Sequence, residues 1–290
     1  MKRMTRLAVV FVAVACLAAF VAAQERGRGR RGYGGYRGPQ FDLSDRRGVP
    51  DWGVDNQFKS DVFTFVRVRY SSYGGRGYYG RGGGDWATDY PDSDLNFSFR
   101  LQQLTALKVN PEPIVLELTD EKLFDYPFLY MIEPGRLSFS EEEVVALRRY
   151  LLNGGFLMVD DFWGDEEYQN FYDEIKRVFP HAAQEPQELE LTHEIFQCVY
   201  RLKEKPQVPS IHAAIRGDPT MTWERGFDTR EVHYKQIRDD KGRMMVLICH
   251  NTDLGDGWER EGEDEWYFRE FAEKKSYPMG INIIFYAMTH

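Results

Sequence analysis

The sequence is poor in cysteine, with three among 290 residues, and none of them forms a Cys-x-x-Cys pair. It also contains no Gly-x-Ser-x-Gly element and no phosphate-binding loop. These absences exclude the common zinc-ribbon, serine-hydrolase and nucleotide-binding classes. The segment GRGYYGRGG imitates a dinucleotide-binding fingerprint only weakly, because it carries two arginines and lacks a helix start.

Long hydrophobic runs are scarce as well. One run extends from Leu7 to Val21, after a basic start and before the small residues Ala22 and Ala23. This order is typical of an export signal, so residues 1–23 are expected to be a signal peptide cleaved near Ala23. The run of about 15 residues is short for a membrane span. A retained anchor, or a lipid anchor at Cys16, is the alternative. The mature protein is expected in the periplasm or cell envelope, without a transmembrane segment.

Positive charge is concentrated near the N-terminus. The net charge of −9 becomes −12 without residues 1–23, which contain three basic residues and no acidic ones. Residues 24–40 add five arginines and one glutamate, which leaves −16 for residues 41–290. Such an acidic body argues against nucleic acid as a partner. Residues 24–49, rich in Gly and Arg, are expected to form a disordered basic tether.

Two cysteines remain after cleavage, Cys198 and Cys249. In an oxidising compartment they could pair. Each lies in an apolar stretch, IFQCVY and VLICHN, so two buried free thiols are the favoured interpretation.

Short apolar runs alternate with helical patterns from residue 61 onward. Ser140 and Glu143 form a capping box for a helix that ends near Asn153, and Asp165 is expected to cap the next helix. Alternation of this kind predicts an α/β fold, with parallel strands covered by helices on both faces. We expect one domain over residues 50–290, interrupted by a long Gly-rich loop at 71–84 that is either a lid or an insertion. Predicted strands lie at 61–70, 113–118, 128–133, 156–160 and, as a hairpin, within 231–251.

Ligands of open parallel sheets bind beyond the carboxyl ends of the strands, so the polar and aromatic residues near those ends are the candidate site. Trp86 and Trp163 could stack on a sugar or an aryl group, although tryptophan is more often core. The candidate ligand-binding residues are Arg69, Trp86, Asp89, Asp160, Trp163, His193 and Asn251, and the candidate catalytic residues are Asp161 and His250.

The adjacent aspartates Asp160 and Asp161 have three interpretations. Neighbouring strand residues point to opposite faces, so both carboxylates face one substrate only if the chain turns sharply there. As a metal site, Asp161 with His193 or His250 would suit a divalent cation, but no tight ligand spacing supports it. As a structural feature, an aspartate would cap the next helix or pair with Arg69.

Several motifs in one order resemble a bacterial family designated domain of unknown function 4159. They are FTFVRVRYSS, DWATDYPDSDLNFSFRLQQLT, GGFLMVDDFWG, LTHEIFQCVY and MGINIIFYAMTH, and the resemblance covers roughly residues 50–290. It implies a fold similar to class I glutamine amidotransferases, a flavodoxin-like three-layer α/β/α sandwich, in an exported or membrane-tethered protein. In those enzymes a tight elbow carries a cysteine nucleophile. Here the elbow holds Asp160 and Asp161, so glutamine amidotransferase activity is not expected.

Two functions follow as hypotheses. The first is a non-catalytic module of the cell envelope that binds a small polar ligand, a glycan or an envelope protein. The second is a metal-assisted or carboxylate-based hydrolase in which Asp161 acts as general base or metal ligand, with help from His193 or His250. No motif requires a cofactor, and a divalent cation is compatible with the sequence.

Overall fold

The structure is a computed structural model that describes residues 46–54, 57, 61–73, 85–217 and 220–290. The expected signal peptide lies outside these residues, as do nearly all of the expected tether and most of the Gly-rich segment at 71–84. Arg46, near the end of the expected tether, donates from Nη1 to the carbonyl oxygen of Pro111 (2.7 Å) and lies over the ring of Trp52. Among the described helices, none combines the length and apolar character needed to cross a membrane.

The described strands form one central sheet. They are β1 (Val66–Arg69), β2 (Ile114–Glu117), β3 (Phe128–Ile132), β4 (Phe156–Asp160), β5 (Gln187–Glu188), β6 (His233–Arg238) and β7 (Met244–His250). The order across the sheet is β2-β1-β3-β4-β7-β6-β5. Pairing is parallel from β2 to β7 and antiparallel from β7 to β5. The expected α/β fold with a mostly parallel sheet is confirmed.

The parallel part of the sheet has the strand order of doubly wound, flavodoxin-like sheets. Its chain runs outward from β1 to β2 and then returns to the other side of β1 as β3. A crevice forms beyond the carboxyl ends of the strands at such a reversal. The residues that follow β1, β3, β4 and β7 therefore line the candidate site.

Helices cover both faces of the sheet. The longer helices are α1 (Asp92–Leu104), α2 (Glu141–Leu152), α3 (Gly164–Val178) and α7 (Tyr277–Thr289), the last preceded by a π-helix (Phe268–Ser276). Shorter helices are α4 (Ile211–Arg216), α5 (Leu254–Glu259) and α6 (Glu265–Tyr267). Single 3-10 turns lie at Asp85–Ala87, Glu121–Asp125, Pro134–Arg136, Ala182–Gln184, Glu194–Phe196 and Phe227–Thr229.

Local sequence signals set some helix ends and tertiary contacts set others. The capping box of Ser140 and Glu143 is present at the start of α2. The prediction that Asp165 caps α3 is wrong, because the helix begins one residue earlier, at Gly164. Two contacts hold that start: Glu167 accepts from the Trp163 backbone N–H (2.8 Å), and the Asp165 N–H donates to Asp228 (3.2 Å).

Two apolar layers separate the strand residues by face, as the alternation of side chains along a strand requires. Tyr130 and Met158 belong to the layer beneath α1 and α7, whereas Val159 and Ile248 belong to the layer beneath α2 and α3. The alternation puts Asp160 on the first face, which determines what it can contact.

Both remaining cysteines are free, as expected. Cys249 is buried, but Cys198 is exposed, so the expectation of burial is wrong for Cys198. Its neighbour Val199 is exposed and Tyr200 is half-buried, and the backbone N–H groups of both donate to the Asn282 side chain (3.1 and 2.7 Å). Within this run Ile195 and Phe196 are buried in the core, and the chain reaches the surface at Gln197 to Val199.

Candidate functional site

Four residues at the carboxyl edge of the sheet adopt a left-handed backbone conformation that residues other than glycine rarely occupy. Glu133 (φ 47°), Asp161 (φ 54°) and Asn251 (φ 60°) directly follow β3, β4 and β7, and Asp89 (φ 61°) lies in the connection after β1. Conformations of this type cost on the order of 1 kcal/mol each and concentrate at functional sites. The strained backbone therefore points to the carboxyl edge of the sheet as the candidate site, in agreement with the strand order.

Asp160 ends β4 and is fully buried. Its Oδ2 accepts hydrogen bonds from the Tyr130 hydroxyl (3.1 Å) and from the Gly255 N–H (3.0 Å). Burial raises the pKa of Asp160 to about 7, although these two bonds act in the opposite direction. Asp160 neither pairs with Arg69 nor caps α3, so the structural interpretation from the sequence does not describe it.

Asp161 is the turning residue between β4 and α3. Its N–H donates to the Thr252 carbonyl (3.1 Å), and its Oδ1 accepts from the Trp163 indole Nε1–H (2.9 Å). The left-handed φ turns the chain sharply, as one of the sequence interpretations required. The pKa of Asp161 is raised well above the usual value by burial first, and then by the nearby carboxylates of Glu133 and Glu224.

Seven carboxyl groups gather at this edge and act on one another. Burial is the largest cause that raises the pKa of Asp253, and the charges of Asp161 and Asp89 add to it. The pKa of Asp89 is raised by burial and then by Glu259 and Asp256. Carboxylates this close cannot all ionise without a compensating cation. We call this group the acidic recess: Asp89, Glu133, Asp160, Asp161, Asp253, Asp256 and Glu259.

A cavity of about 380 Å³ opens beside the acidic recess at Glu133. Burial, with Asp85 and Glu167 as further causes, raises the pKa of Glu133 to about 8. Two arginines at the cavity are already paired, Arg136 with Asp85 (2.8 Å) and Arg225 with Glu167. The lining residues are Tyr73, Asp85, Glu133, Gly135, Arg136, Glu166, Glu167 and Arg225. We call this cavity the edge pocket.

His250 lies at the end of β7 but on the α3 side of the sheet, packed against the rings of Phe162 and Tyr168 (centroids 4.9 Å apart in both cases). Its Nε2–H donates to the Gly164 carbonyl (3.0 Å). Burial lowers the pKa of His250 to about 4, so the ring is neutral at physiological pH. Asp160 projects from the opposite face, and no described hydrogen bond links His250 to Asp161. The expected catalytic pairing of His250 with Asp161 is therefore not formed.

Two other candidates lie outside the acidic recess. His193 caps a 3-10 turn, accepting from the Ile195 N–H (3.2 Å), and packs on Tyr286, which in turn packs on the first residue of β4. It is therefore near the amino edge of the sheet. Arg69 pairs with Glu117 (2.6 Å) with about half of each side chain exposed, 49% and 52%. Arg67, two residues earlier on the same face of β1, is the arginine that lies in the interior.

The remaining candidates divide between the recess and the core. Trp86 is buried in the apolar layer beneath α2 and α3, which matches the core reading of that tryptophan. Trp163 is also buried and binds Asp161 through its indole. Asn251 is fully buried, and its side chain forms hydrogen bonds with backbone groups. It accepts from the Gly164 N–H (2.8 Å) and donates to the Glu231 carbonyl (2.8 Å). Asp89 is the one of the four that joins the acidic recess.

Sequence reasoning missed the acidic residues of α5. Asp89, Asp256 and Glu259 each offer a carboxylate oxygen, and these oxygens lie within 4.8 Å of one another. The described part of the chain therefore contains a set that could hold a metal ion, and it includes no histidine. The signal was the three-residue spacing of Asp253, Asp256 and Glu259, which places carboxylates on one side of a helix.

Residues 64–288 match the family model described as domain of unknown function (DUF4159). The chain belongs to this family. The match confirms the resemblance deduced from the sequence, and the matched part of the DUF4159 domain contains the whole acidic recess. No curated protein matches the chain.

Proposed function

We propose that this DUF4159 domain is a non-catalytic binding module of the bacterial cell envelope. Its ligand is a small polar molecule with amine and hydroxyl groups, such as an amino sugar, which enters the edge pocket next to the acidic recess. A glycan or an envelope protein that presents such groups offers the same chemistry. The observation that carries the proposal is the hydrogen bond from Trp163 to Asp161. Asp161 stands at the corner where a nucleophile would act, and this bond engages its carboxylate in a structural contact.

The scaffold is proposed to be related to class I glutamine amidotransferases. The order of β3, α2 and β4, ending on a left-handed residue, supports this relationship. Catalysis at such a corner requires a nucleophile paired with a base. Among the described residues, no histidine or cysteine donates to or accepts from Asp161. We infer a scaffold that is retained without the amide chemistry.

The ligand class follows from the charge of the edge pocket. Arg136 and Arg225 are neutralised by their own carboxylates, whereas Glu133 is placed at the pocket without a described arginine or lysine bonded to it. An ammonium group of a ligand would stabilise the ionised form of Glu133. A volume of about 380 Å³ is at the lower end of small-molecule sites, which run from about 300 Å³ upward.

A thermal-shift comparison tests the binding proposal. Glucosamine is expected to raise the melting temperature of the mature wild-type protein more than N-acetylglucosamine, which lacks the ammonium group, because binding to the native state stabilises it. Glu133→Gln should abolish this difference. Glu112→Gln, an exposed carboxylate just before β2 at the opposite edge, is the matched control and should preserve it. Equal shifts for both sugars, or an unchanged difference in Glu133→Gln, would contradict the proposal.

Export is a separate part of the proposal and rests on residues 1–23. The basic start, the apolar run and the small residues before Gln24 support it. Mass spectrometry of the protein recovered from a bacterial envelope fraction should give a mature N-terminus at or near Gln24. An intact Met1 in that fraction would contradict cleavage.

A carboxylate-based hydrolase is the second candidate function. Asp160 and Glu133 favour it, because their pKa values of about 7 and about 8 suit a general acid or base near neutral pH. A panel of glycosidase, esterase and amidase substrates tests it directly. Turnover that is lost in both Asp160→Asn and Asp161→Asn, in protein that still folds, would replace the binding proposal with the hydrolase.

A further inference from the structure

The acidic residues of α5 face Asp89 across a short gap. Asp256 and Glu259 each place a carboxylate oxygen within 4.8 Å of the others and of Asp89. Three oxygens within this distance of one another can share one cation, and calcium, which binds oxygen ligands at about 2.3–2.6 Å in flexible geometry, accommodates such a set. Magnesium demands near-ideal octahedral geometry, keeps several of its waters and is usually held by only one or two carboxylates, so a set of three protein carboxylates favours calcium.

Buried oxygens without partners supply an observation independent of the acidic composition. Asp160 is fully buried, and its Oδ1 makes no hydrogen bond with any described residue. The buried Oδ2 of Asp89 likewise lacks a described hydrogen-bond partner. Gly255 adjoins both carboxylates: its N–H binds Asp160 (3.0 Å), and an added Cβ would lie 2.9 Å from Asp89 Oδ2. Buried carboxylate oxygens left unpaired are costly unless a cation or a proton compensates them.

The charge balance of the gap also calls for a divalent cation. Arg260 lies against two of the three carboxylates, with Nε 2.6 Å from Glu259 Oε2 and 3.4 Å from Asp256 Oδ1. The contact to Glu259 is an ion pair without a hydrogen bond, so Glu259 Oε2 is a third buried oxygen with no described hydrogen-bond partner. Three ionised carboxylates with one guanidinium leave a net charge of −2, which one divalent cation offsets.

The surroundings of the gap are fixed before any ion enters. Asp256 Oδ2 accepts from the Ile211 N–H (2.7 Å) and the Tyr267 hydroxyl (2.9 Å), and the Asp253 side chain holds the Asp256 N–H (2.7 Å). Preorganised ligands of this kind lower the cost of binding an ion. Glu259 is only partly buried, which leaves a path from solvent.

We propose that Asp89, Asp256 and Glu259 form a calcium site, with Asp160 and Asp253 as the carboxylates behind it. The remaining coordination positions are filled by water, since calcium takes about six to eight oxygen ligands. The site is separate from the edge pocket, so it does not depend on the binding function proposed above. Its affinity is expected to be that of extracellular calcium modules, with a dissociation constant of about 0.1–1 mM.

Calcium titration of the mature full-length protein, without any organic ligand, tests the site. Calcium at about ten times the dissociation constant is expected to raise the melting temperature by about 3–6 °C. Isothermal titration should give one ion per chain, and magnesium at equal concentration should have a smaller effect. A wild-type protein that shows no calcium-dependent shift would overturn the proposal.

Variants assign the effect to the three residues. Glu259→Gln is expected to weaken calcium binding about tenfold or more, because ligand charge sets affinity in such sites. Glu263→Gln is the matched control: it removes another partner of Arg260 (Nη1 to Oε1, 3.0 Å) without touching the gap, and it should bind calcium normally. Equal calcium responses in Glu259→Gln and Glu263→Gln would overturn the assignment.

Terbium luminescence keeps the test decisive if Glu259→Gln does not fold. Trp258 directly precedes the ligand Glu259 in the chain, so terbium bound in the gap should receive energy from its indole. Excitation of tryptophan should then produce terbium emission, which calcium should abolish by displacing the terbium ion. Trp258→Phe should reduce this emission severalfold, whereas Trp223→Phe should not. Emission that calcium cannot displace, or that is insensitive to Trp258→Phe, would contradict a site at this position.

Discussion

The indole Nε1–H of Trp163 donates a hydrogen bond of 2.9 Å to Oδ1 of Asp161, two residues earlier in the chain. Both side chains are buried, and the pair spans the turn between β4 and α3. The bond holds the carboxylate on its own corner rather than toward a histidine. The carboxylate of Asp161 thereby becomes part of the corner's support.

The first prediction separates the charge of Asp161 from its hydrogen bond. Asp161→Asn keeps an oxygen for Trp163 and tolerates the left-handed backbone, but it removes a buried carboxyl whose pKa is raised. The free energy of unfolding near pH 8 should therefore rise by about 1 kcal/mol. Asp161→Ala leaves the buried indole N–H without its acceptor and should lower that free energy by about 1–3 kcal/mol. Urea denaturation followed by circular dichroism measures both, and equal losses would contradict the interpretation.

The second prediction concerns the pH dependence that Glu133 contributes. Its folded-state pKa of about 8 lies above the usual 4.5, so the folded protein retains a proton that the unfolded chain loses. The contribution of Glu133 to stability is complete below about pH 4.5 and is lost as the pH rises through 8. Glu133→Gln should reduce the decline in unfolding free energy between pH 5 and 9 by about 1–3 kcal/mol.

Denaturation at several pH values measures this effect. The exposed Glu112→Gln serves as the control and should leave the pH profile unchanged. A profile for Glu133→Gln that parallels the wild type would show that Glu133 ionises normally in the folded protein.

The third prediction compares two arginines on the same strand. Arg67 is fully buried and binds Asp94 through Nε (3.0 Å), together with Ser93 and two backbone carbonyls. Burial alone would lower the pKa of Arg67, but Asp94 raises it above the usual value. Asp94→Asn leaves a buried cation without its counterion and should cost about 3–5 kcal/mol.

Arg69→Met breaks the exposed pair with Glu117 and should cost at most about 1 kcal/mol. Thermal or urea denaturation of the two variants gives the comparison. Similar losses for Asp94→Asn and Arg69→Met would contradict the difference in burial on which the prediction rests.

The fourth prediction concerns the protonation of His250. Burial lowers its pKa to about 4, and the bond to the Gly164 carbonyl requires the proton on Nε2. Nitrogen NMR of the imidazole should therefore show the neutral Nε2–H tautomer at neutral pH and no titration down to about pH 5. A His250 signal that titrates near 6.5 would restore it as a candidate to assist Asp161.

The sequence located the candidate edge of the sheet but assigned its residues unevenly. Asp160, Asp161 and Asp89 were found because polar residues that follow apolar strands meet at one edge of a parallel sheet. His193 and His250 were chosen for their chemistry, and the structure places His193 near the amino edge and His250 on the other face from Asp160. The face of a strand residue depends on register, and a single sequence fixes that register only loosely where several apolar runs have the same length.

Arg67 and Arg69 show that the burial of a strand residue is also hard to predict from the sequence. Both lie in the alternating segment VRVR, in which Val66 and Val68 occupy one face of the strand and the two arginines occupy the other. The two arginines are two residues apart and so belong to the same face, yet Arg67 is fully buried and Arg69 is half exposed. Burial of Arg67 follows from Asp94 and Ser93 on α1, which lie more than 20 residues later in the sequence. Only the packed helix supplies these partners.

The sequence by itself determined the alternation of strands and helices, the capping box of α2, and the sharp polar corner at Asp160 and Asp161. These features depend on residues close together in the chain, where side-chain periodicity and hydrogen-bonding capacity act locally. Tertiary structure decided which carboxylates share the acidic recess and which arginine is buried. Those outcomes depend on bringing α5 to Asp89 and α1 to Arg67, and chain folding determines such long-range distances through packing of the whole core.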